Sequence, residues 1–241
     1  MMRALIALFA LALLAAAPPP AARERAAERE RMVLAIENMA AVEDPRLPRR
    51  IDPKVLAAMR EVPRHLLVPA DVRAHAYGNH PLPIGYDATI SQPYMVAVMT
   101  HLLGAKPSDV VLEVGTGSGY QAAVLSRLVR HVYSIEIVQP LAERAGRQLA
   151  ELGYANVSVR AGDGYKGWPE RAPFDRIIVT AGADHMPKPL IDQLKPGGRM
   201  VIPLGPSPES LELTVVTKDR NGKTWHRRLM PVRFVPLTRA D

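Results

Sequence analysis

The sequence predicts an α/β fold, a doubly wound and mostly parallel sheet with an antiparallel hairpin at its C-terminal end. Three observations carry that prediction. From Asp109 onward, short apolar runs alternate with stretches of helical period; a glycine-rich turn joins the first run to the helix after it; and two β-type runs flank Asn221-Gly222 near the end. With 241 residues, 48% of them hydrophobic, the chain is long enough for one sizeable core. A formal charge of +7 attracts anionic partners without choosing among them. There is no cysteine, which excludes disulfides, thiolate metal sites and thiol nucleophiles.

The chain begins with Arg3, an apolar run from Ala4 to Ala17 and then Pro18-Pro19-Pro20. A run apolar on every side, and short for a bilayer span, reads as a signal peptide or N-terminal anchor over residues 1–22. Pro18 disfavours cleavage directly after Ala15-Ala16-Ala17, which points to a site nearer Ala22 or to retention. The expected location is therefore the periplasm or the membrane, with the cytoplasm as the alternative.

Residues 23–104 are expected to form a helical and loop region that serves the substrate, and 105–241 a cofactor-binding core. Arg23 to Ala41 is charged and helix-prone. The Pro/Arg-rich segment 43–53 reads as a loop and 54–62 as a short amphipathic helix. Prolines at 63, 69, 81 and 83 and glycines at 78 and 85 mark 63–91 as irregular chain. In 92–103, Met95, Val98, Met99 and Leu102 fall on one helical face, with Pro93 in the first turn.

Strands are then predicted at 109–114, 131–137, 157–161, 174–180 and 199–204. The intervening helices include 120–129, one whose apolar face holds Leu141, Ala145, Leu149 and Leu152, and 187–194. Pro196-Gly197-Gly198 reads as the turn after the last of these. The runs 211–219 and 225–237 make the closing hairpin.

Gly115-Thr116-Gly117-Ser118-Gly119 lies between the first strand and its helix, where glycines let backbone approach a ligand closely. Glu136 follows at the end of the next strand, about 20 residues on, where an acid accepts hydrogen bonds from ribose hydroxyls. Two adenosine cofactors compete, NAD and S-adenosylmethionine. The spacing is GxGxG rather than GxGxxG, which displaces the third glycine of the dinucleotide fingerprint and favours the methyl donor. Asp163, after the third strand, is positioned to reach an adenine amino group or simply to open an Asp-Gly turn.

The blocks 62–69, 81–103, 111–128, 162–164, 190–205 and 232–238 resemble, in order, those of the protein-L-isoaspartate O-methyltransferase family, and ATISQPY joined to a terminal VPLT is characteristic of it. The resemblance runs from about Met59 to Thr238. It implies a Rossmann-like class I methyltransferase sheet, S-adenosyl-L-methionine as cofactor, and isoaspartyl proteins and peptides as partners, with no nucleic acid. It further implies methylation of the isoaspartyl carboxylate, after which the ester collapses unaided to a succinimide whose hydrolysis restores some aspartate. By the same resemblance Ser91 is the catalytic residue, while Thr89, Ile90, Gly115, Thr116, Gly117, Gly119, Glu136, Asp163 and Gly164 bind the cofactor. Asp87-Ala88 stands where bacterial members more often carry Gly-Gln. Ser91 also has a structural reading, as the N-cap of the helix that begins Gln-Pro.

An isoaspartyl carboxylate, with a pKa of roughly 3.5, is ionised at neutral pH and needs no base, so the lack of an evident His-Asp pair is expected. A nucleic-acid or small-molecule methyltransferase is the main alternative. Cytosine C5 chemistry is excluded by the missing cysteine, and Thr180-Ala181-Gly182-Ala183 lacks the Asp/Asn-Pro-Pro-aromatic arrangement suited to amino groups. A non-catalytic binding homologue is made conceivable by Asp87. NAD chemistry lacks its glycine spacing, and His75 and His80 read as surface residues rather than metal ligands.

If residues 1–22 direct export, fractionation with N-terminal sequencing will find the protein outside the cytoplasm or attached to its membrane. Soluble cytoplasmic protein starting at Met1 or Met2 would refute that assignment.

Overall fold

The computed structural model describes residues 24–42 and 46–239, so the signal-peptide reading lies outside the described residues, as does part of the loop at 43–53. Helix α1 spans Ala26–Val42 and sinks Met32, Val33, Ile36 and Ala40 into the core. Asp52 starts α2 (Pro53–Glu61) by accepting the Lys54 N–H at 2.9 Å, with Pro53 pre-set for the first turn. Helix α3 (Pro93–Leu103) departs from the one-faced reading, because Pro93, Tyr94, Val96 to Thr100, Leu102 and Leu103 are all buried and only Met95 of the apolar set is partly exposed. It lies between α1 and α2 on one side and the sheet on the other, so no face is left for water.

The stretch expected to be irregular contains regular structure. Leu82–Gly85 (β1) and Ala88–Ile90 (β2) pair as an antiparallel hairpin, with Leu82 opposite Ile90 and Gly85 opposite Ala88. Its two loop residues, Tyr86 and Asp87, both have φ of 55°, the left-handed backbone that two-residue hairpin loops require. A Tyr-Asp loop between strands this short gives neither the usual Asn-Gly signal nor enough alternation to read.

The main sheet has seven strands: β3 (Val110–Val114), β4 (His131–Glu136), β5 (Val157–Ala161), β6 (Phe174–Val179), β7 (Leu194–Leu204), β8 (Leu211–Lys218) and β9 (Thr224–Val232). Their order is β5-β4-β3-β6-β7-β8-β9; the first five are mutually parallel, and β8 pairs antiparallel with both β7 and β9. The doubly wound, mostly parallel sheet with an antiparallel C-terminal hairpin is thus present. One prediction needs correction. Pro196-Gly197-Gly198 is not a turn before a strand but lies within β7, where the register passes from Phe174–Leu194 to Arg176–Arg199 and the extra residues bulge out with Gly197 at φ 78°.

Side chains alternate across the sheet with period two. Val111, Ile178 and Val201 join the larger cluster under α1, α2, α3, α4 (Tyr120–Ser126) and α5 (Gln139–Glu151), whereas Leu112, Ile177 and Ile202 join Leu190 of α6 (Lys188–Gln193) on the other face. The larger cluster runs without a break from Met32 to Val232, so the N-terminal helices share the core of the sheet.

Glu113 is an exception to this apolar pattern. It is fully buried in β3, where it accepts the Ser134 hydroxyl, and Ser134 is in turn bonded to the hydroxyl of Thr116 in the glycine loop. Burial pushes its carboxyl up to about 8, against the opposing pull of the Ser134 hydrogen bond. In the native state the group is therefore protonated across a range in which the unfolded chain ionises. Its contribution is fully present below its ordinary value of 4.5 and is lost as pH rises towards about 8. Glu113→Gln keeps the shape and removes the titration. Denaturant melts between pH 5 and 8 should show wild type losing stability relative to Glu113→Gln, by up to about 1.4 kcal/mol per pH unit. Parallel pH profiles would mean that Glu113 ionises alike in both states.

Candidate active site

Strand β3 has β4 on one side and β6 on the other, and the chain leaves their carboxyl ends in opposite directions. A crevice opens at such a switch point. Here it is a cavity of about 330 Å³, of a size that holds a small-molecule ligand. Its floor is the glycine loop. The Gly115 and Thr116 N–H groups both donate to the Ile135 carbonyl, at 2.8 and 3.2 Å, which turns the loop across the end of β4. A Cβ on Gly115 would stand 2.5 Å from the Thr180 Oγ1, so the close approach of β3 and β6 requires glycine there.

Glu136 forms one end of the cavity and is almost entirely buried. Its Oε2 accepts the Gly117 N–H at 2.8 Å and its Oε1 accepts the Val138 N–H at 3.1 Å. Those bonds fix the carboxylate. Each oxygen keeps a second acceptor site, and two fixed acceptors at a strand end are what a pair of vicinal hydroxyls would meet.

The cavity brings together Thr89, Ile90, Ser91, Gly115, Thr116, Gly117, Glu136 and Gly164. At Gly164 a Cβ would meet the Val114 Cγ1 at 2.4 Å, so any side chain there would clash with β3. Gly119 and Asp163, also expected at the cofactor, are not among its lining residues. Gly119 has φ of 81°, and its missing side chain admits Leu149 of α5, a packing role. The Asp163 Oδ1 accepts the Tyr165 N–H at 2.9 Å and starts a short 3-10 turn, which is the Asp-Gly turn alternative.

Ser91 does not cap α3. The cap position is Gln92, which makes no side-chain capping bond, and the exposed helix donor at Tyr94 is taken by the Asn79 Oδ1 at 3.0 Å. A residue twelve positions away thus does the work expected of Ser91, which lines the cavity instead. Ser91, Thr89, Thr180 and Val235 also line a second, outward groove of about 560 Å³ bordered by Met95, Met230, Arg233 and Phe234. Ser91 therefore stands in the partition between an inner cavity and a groove open to the surface.

Sequence reasoning missed Thr180 and the tail residues Val235 to Thr238 as parts of the wall. The tail is stitched to the turn after β6: the Gly182 N–H donates to the Val235 carbonyl at 2.8 Å and the Leu237 N–H to the Gly182 carbonyl at 2.7 Å. Thr180 ends a predicted strand on the correct edge of the sheet, a usable signal, whereas the tail's return over the cavity has none in local periodicity. The hairpin β1–β2 covers the loop from above, with Ile84 and the Thr89 carbonyl approaching Gly117 and the Ile84 carbonyl held by Arg144 of α5 at 2.6 Å.

The chain matches the family model for protein-L-isoaspartate(D-aspartate) O-methyltransferase over residues 39–241. It is 58% identical over 213 residues to protein-L-isoaspartate O-methyltransferase 2 of Syntrophobacter fumaroxidans, covering 88% of this chain and 86% of that one. It is 56% identical over 239 residues to the protein-L-isoaspartate O-methyltransferase of Opitutus terrae, covering 99% of each. Among solved structures, a protein-L-isoaspartate O-methyltransferase superposes with a TM-score of 0.76 at 28% identity, over 86% of this chain and 65% of that one. A Plasmodium falciparum chain described as an enzyme of the same kind, in complex with S-adenosyl-L-homocysteine, superposes with a TM-score of 0.74 at 23% identity, over 87% and 98%, and is similar in fold.

Proposed function

The chain belongs to the protein-L-isoaspartate (D-aspartate) O-methyltransferase family, and from that membership we propose how its residues divide the work of the reaction. Its function is S-adenosylmethionine-dependent methylation of the carboxylate of L-isoaspartyl residues in damaged proteins and peptides, the step that initiates their repair to aspartate. When bound, the cofactor supplies a methyl group carried on a sulfonium cation. Glu136 would hold the ribose hydroxyls with its two remaining acceptor sites, Gly115, Thr116 and Gly117 would let the backbone approach the amino-acid end, and Gly164, packed against Val114, would line the adenine side.

The observation that carries the acceptor assignment is the place of Ser91, shared by the inner cavity and the outward groove. An acceptor entering from the groove reaches the donor cavity at that partition. The acceptor carboxylate is already ionised at neutral pH. The residues around it need only orient one oxygen and exclude water, and a neutral hydroxyl does so without tying up the nucleophile as a direct cation would. Thr89, Ile90 and the tail from Val235 to Thr238 close the cavity on both sides. Asp87 lies at the tip of the hairpin on the cavity rim, and Ala88 opens the strand that carries Thr89 and Ile90.

The N-terminal pattern supports, as a further part of this reading, an enzyme that works in the periplasm or attached to the membrane, on proteins exposed there.

Transfer of label from S-adenosylmethionine to paired peptides containing isoaspartate or aspartate tests the reaction, and only the isoaspartyl peptide is expected to be methylated. Glu136→Ala should weaken S-adenosylmethionine binding by roughly 1–3 kcal/mol, the range for hydrogen bonds to a charged group. Unchanged affinity in a folded variant, measured by calorimetry, would take Glu136 out of the donor site. Ser91→Ala should slow single-turnover methylation about 10–1000-fold while donor affinity and melting temperature hold, the range for one positioned hydrogen bond. Wild-type turnover in Ser91→Ala would move the acceptor contact elsewhere in residues 81–94.

A further inference from the structure

Arg64 lies in the short 3-10 turn Arg64–Leu66 and is completely buried, yet no carboxylate among the described residues pairs with it. Its Nε donates to the Ala76 carbonyl at 2.8 Å and its Nη2 to the Ser91 carbonyl at 2.8 Å. The guanidinium sits 4.8 Å from the centre of the Tyr120 ring, and its Nη1 has no hydrogen-bond partner among the described residues. Tyr120 and Ser91 both line the inner cavity. Burial brings the guanidinium down to about 10, so it remains a cation at neutral pH.

An unpaired buried charge is unfavourable, and an interior this well packed would be more stable with an apolar residue in its place. The cost falls at one point, directly behind the proposed acceptor contact. Two carbonyls and the negative face of a ring offset part of it, and the bond to the Ser91 carbonyl places the remainder beside the partition.

We propose that Arg64 is a positioning residue for the acceptor: it fixes the Ser91 backbone through Nη2, and its uncompensated charge draws the isoaspartyl carboxylate to the partition. The inference rests on the reading of Ser91 as the acceptor contact. Because the guanidinium is bonded to the Ser91 carbonyl rather than aimed past it, attraction acts through space. The carboxylate is recruited without a direct ion pair that would blunt its nucleophilic oxygen. This reconciles an anionic acceptor with a wall whose contacting group is a neutral hydroxyl.

Two variants separate the parts. Arg64→Lys keeps the charge but loses the planar fork, so it should leave KM for an isoaspartyl peptide near wild type and lower kcat about 10-fold through a misplaced Ser91. Arg64→Gln loses the charge as well, and KM should rise by roughly 10-fold or more. Calorimetry should give wild-type affinity for S-adenosylmethionine in both variants. Melting temperature identifies the folded ones, and if Arg64→Gln fails to fold, the kcat of Arg64→Lys decides alone. Wild-type kcat and KM in folded variants of lower stability would make Arg64 purely structural, and a matching loss of donor affinity would assign it to the donor; either result overturns the proposal. Failure of the wild type itself to methylate the isoaspartyl peptide would instead refute the reading of the site beneath it.

Discussion

The hydrogen bond from the Gly117 N–H to the Glu136 carboxylate joins the ends of β3 and β4 across the opening of the crevice, and the rest of the site is arranged around it. It holds a glycine loop that would otherwise be free to collapse into the gap between diverging chain segments. It also orients a carboxylate that, unfixed, would turn to solvent. Once that contact is made, the loop can accept two close neighbours, Thr180 from β6 below and the β1–β2 hairpin above. The approach of Thr180 needs the missing side chain of Gly115, and the hairpin packs over Gly117, whose φ of 51° favours glycine. The cavity is thus a consequence of backbone proximity rather than of large residues placed around a hole.

The parts of this arrangement that were legible in the sequence are those that repeat with a period or need a special residue. The alternation of β3 to β6 with their helices, the glycine run and the acid at the end of β4 all come from local chemistry, and they locate the sheet and one end of the cavity. Less visible were features defined by distant contacts. The β1–β2 hairpin has a Tyr-Asp loop in left-handed backbone that local signals do not announce. The N-terminus of α3 is satisfied by Asn79 rather than by the adjacent Ser91. Gly119, which belongs to the loop by pattern, serves the packing of Leu149. In each case the local rule was satisfied, but by another residue or for another purpose.

Two of the buried ionisable groups near the cavity, neither of them lining it, illustrate how charge is placed in a site whose chemistry needs no acid or base. Glu113, beneath the loop, has a carboxyl pushed up to about 8 and so sits in the core as a neutral hydrogen-bonding group linked through Ser134 to Thr116. Arg64, behind the acceptor wall, is lowered only to about 10 and stays charged. The same physical penalty, loss of hydration, pushes both groups towards their neutral forms, and only Glu113 crosses neutral pH because its ordinary value lies much closer to it than that of Arg64. The result is a glycine-loop floor without a fixed negative charge below it and a positive charge behind the wall that holds Ser91.

That polarity suits the reaction. A sulfonium and a carboxylate attract one another and lose their charges as the methyl passes, so an environment that solvates either charge strongly stabilises the reactants more than the transition state. Water would do so, as would a direct ion pair with the acceptor. The walls of the cavity therefore have to close against water while presenting contacts that orient more than they bind. The C-terminal tail, stitched to Gly182, and the β1–β2 hairpin, held through Ile84 by Arg144, provide the closure from two sides. Both come from segments far from the glycine loop in sequence. The closure of the cavity consequently belongs to the additions around the sheet, while the sheet itself carries the glycine loop and Glu136.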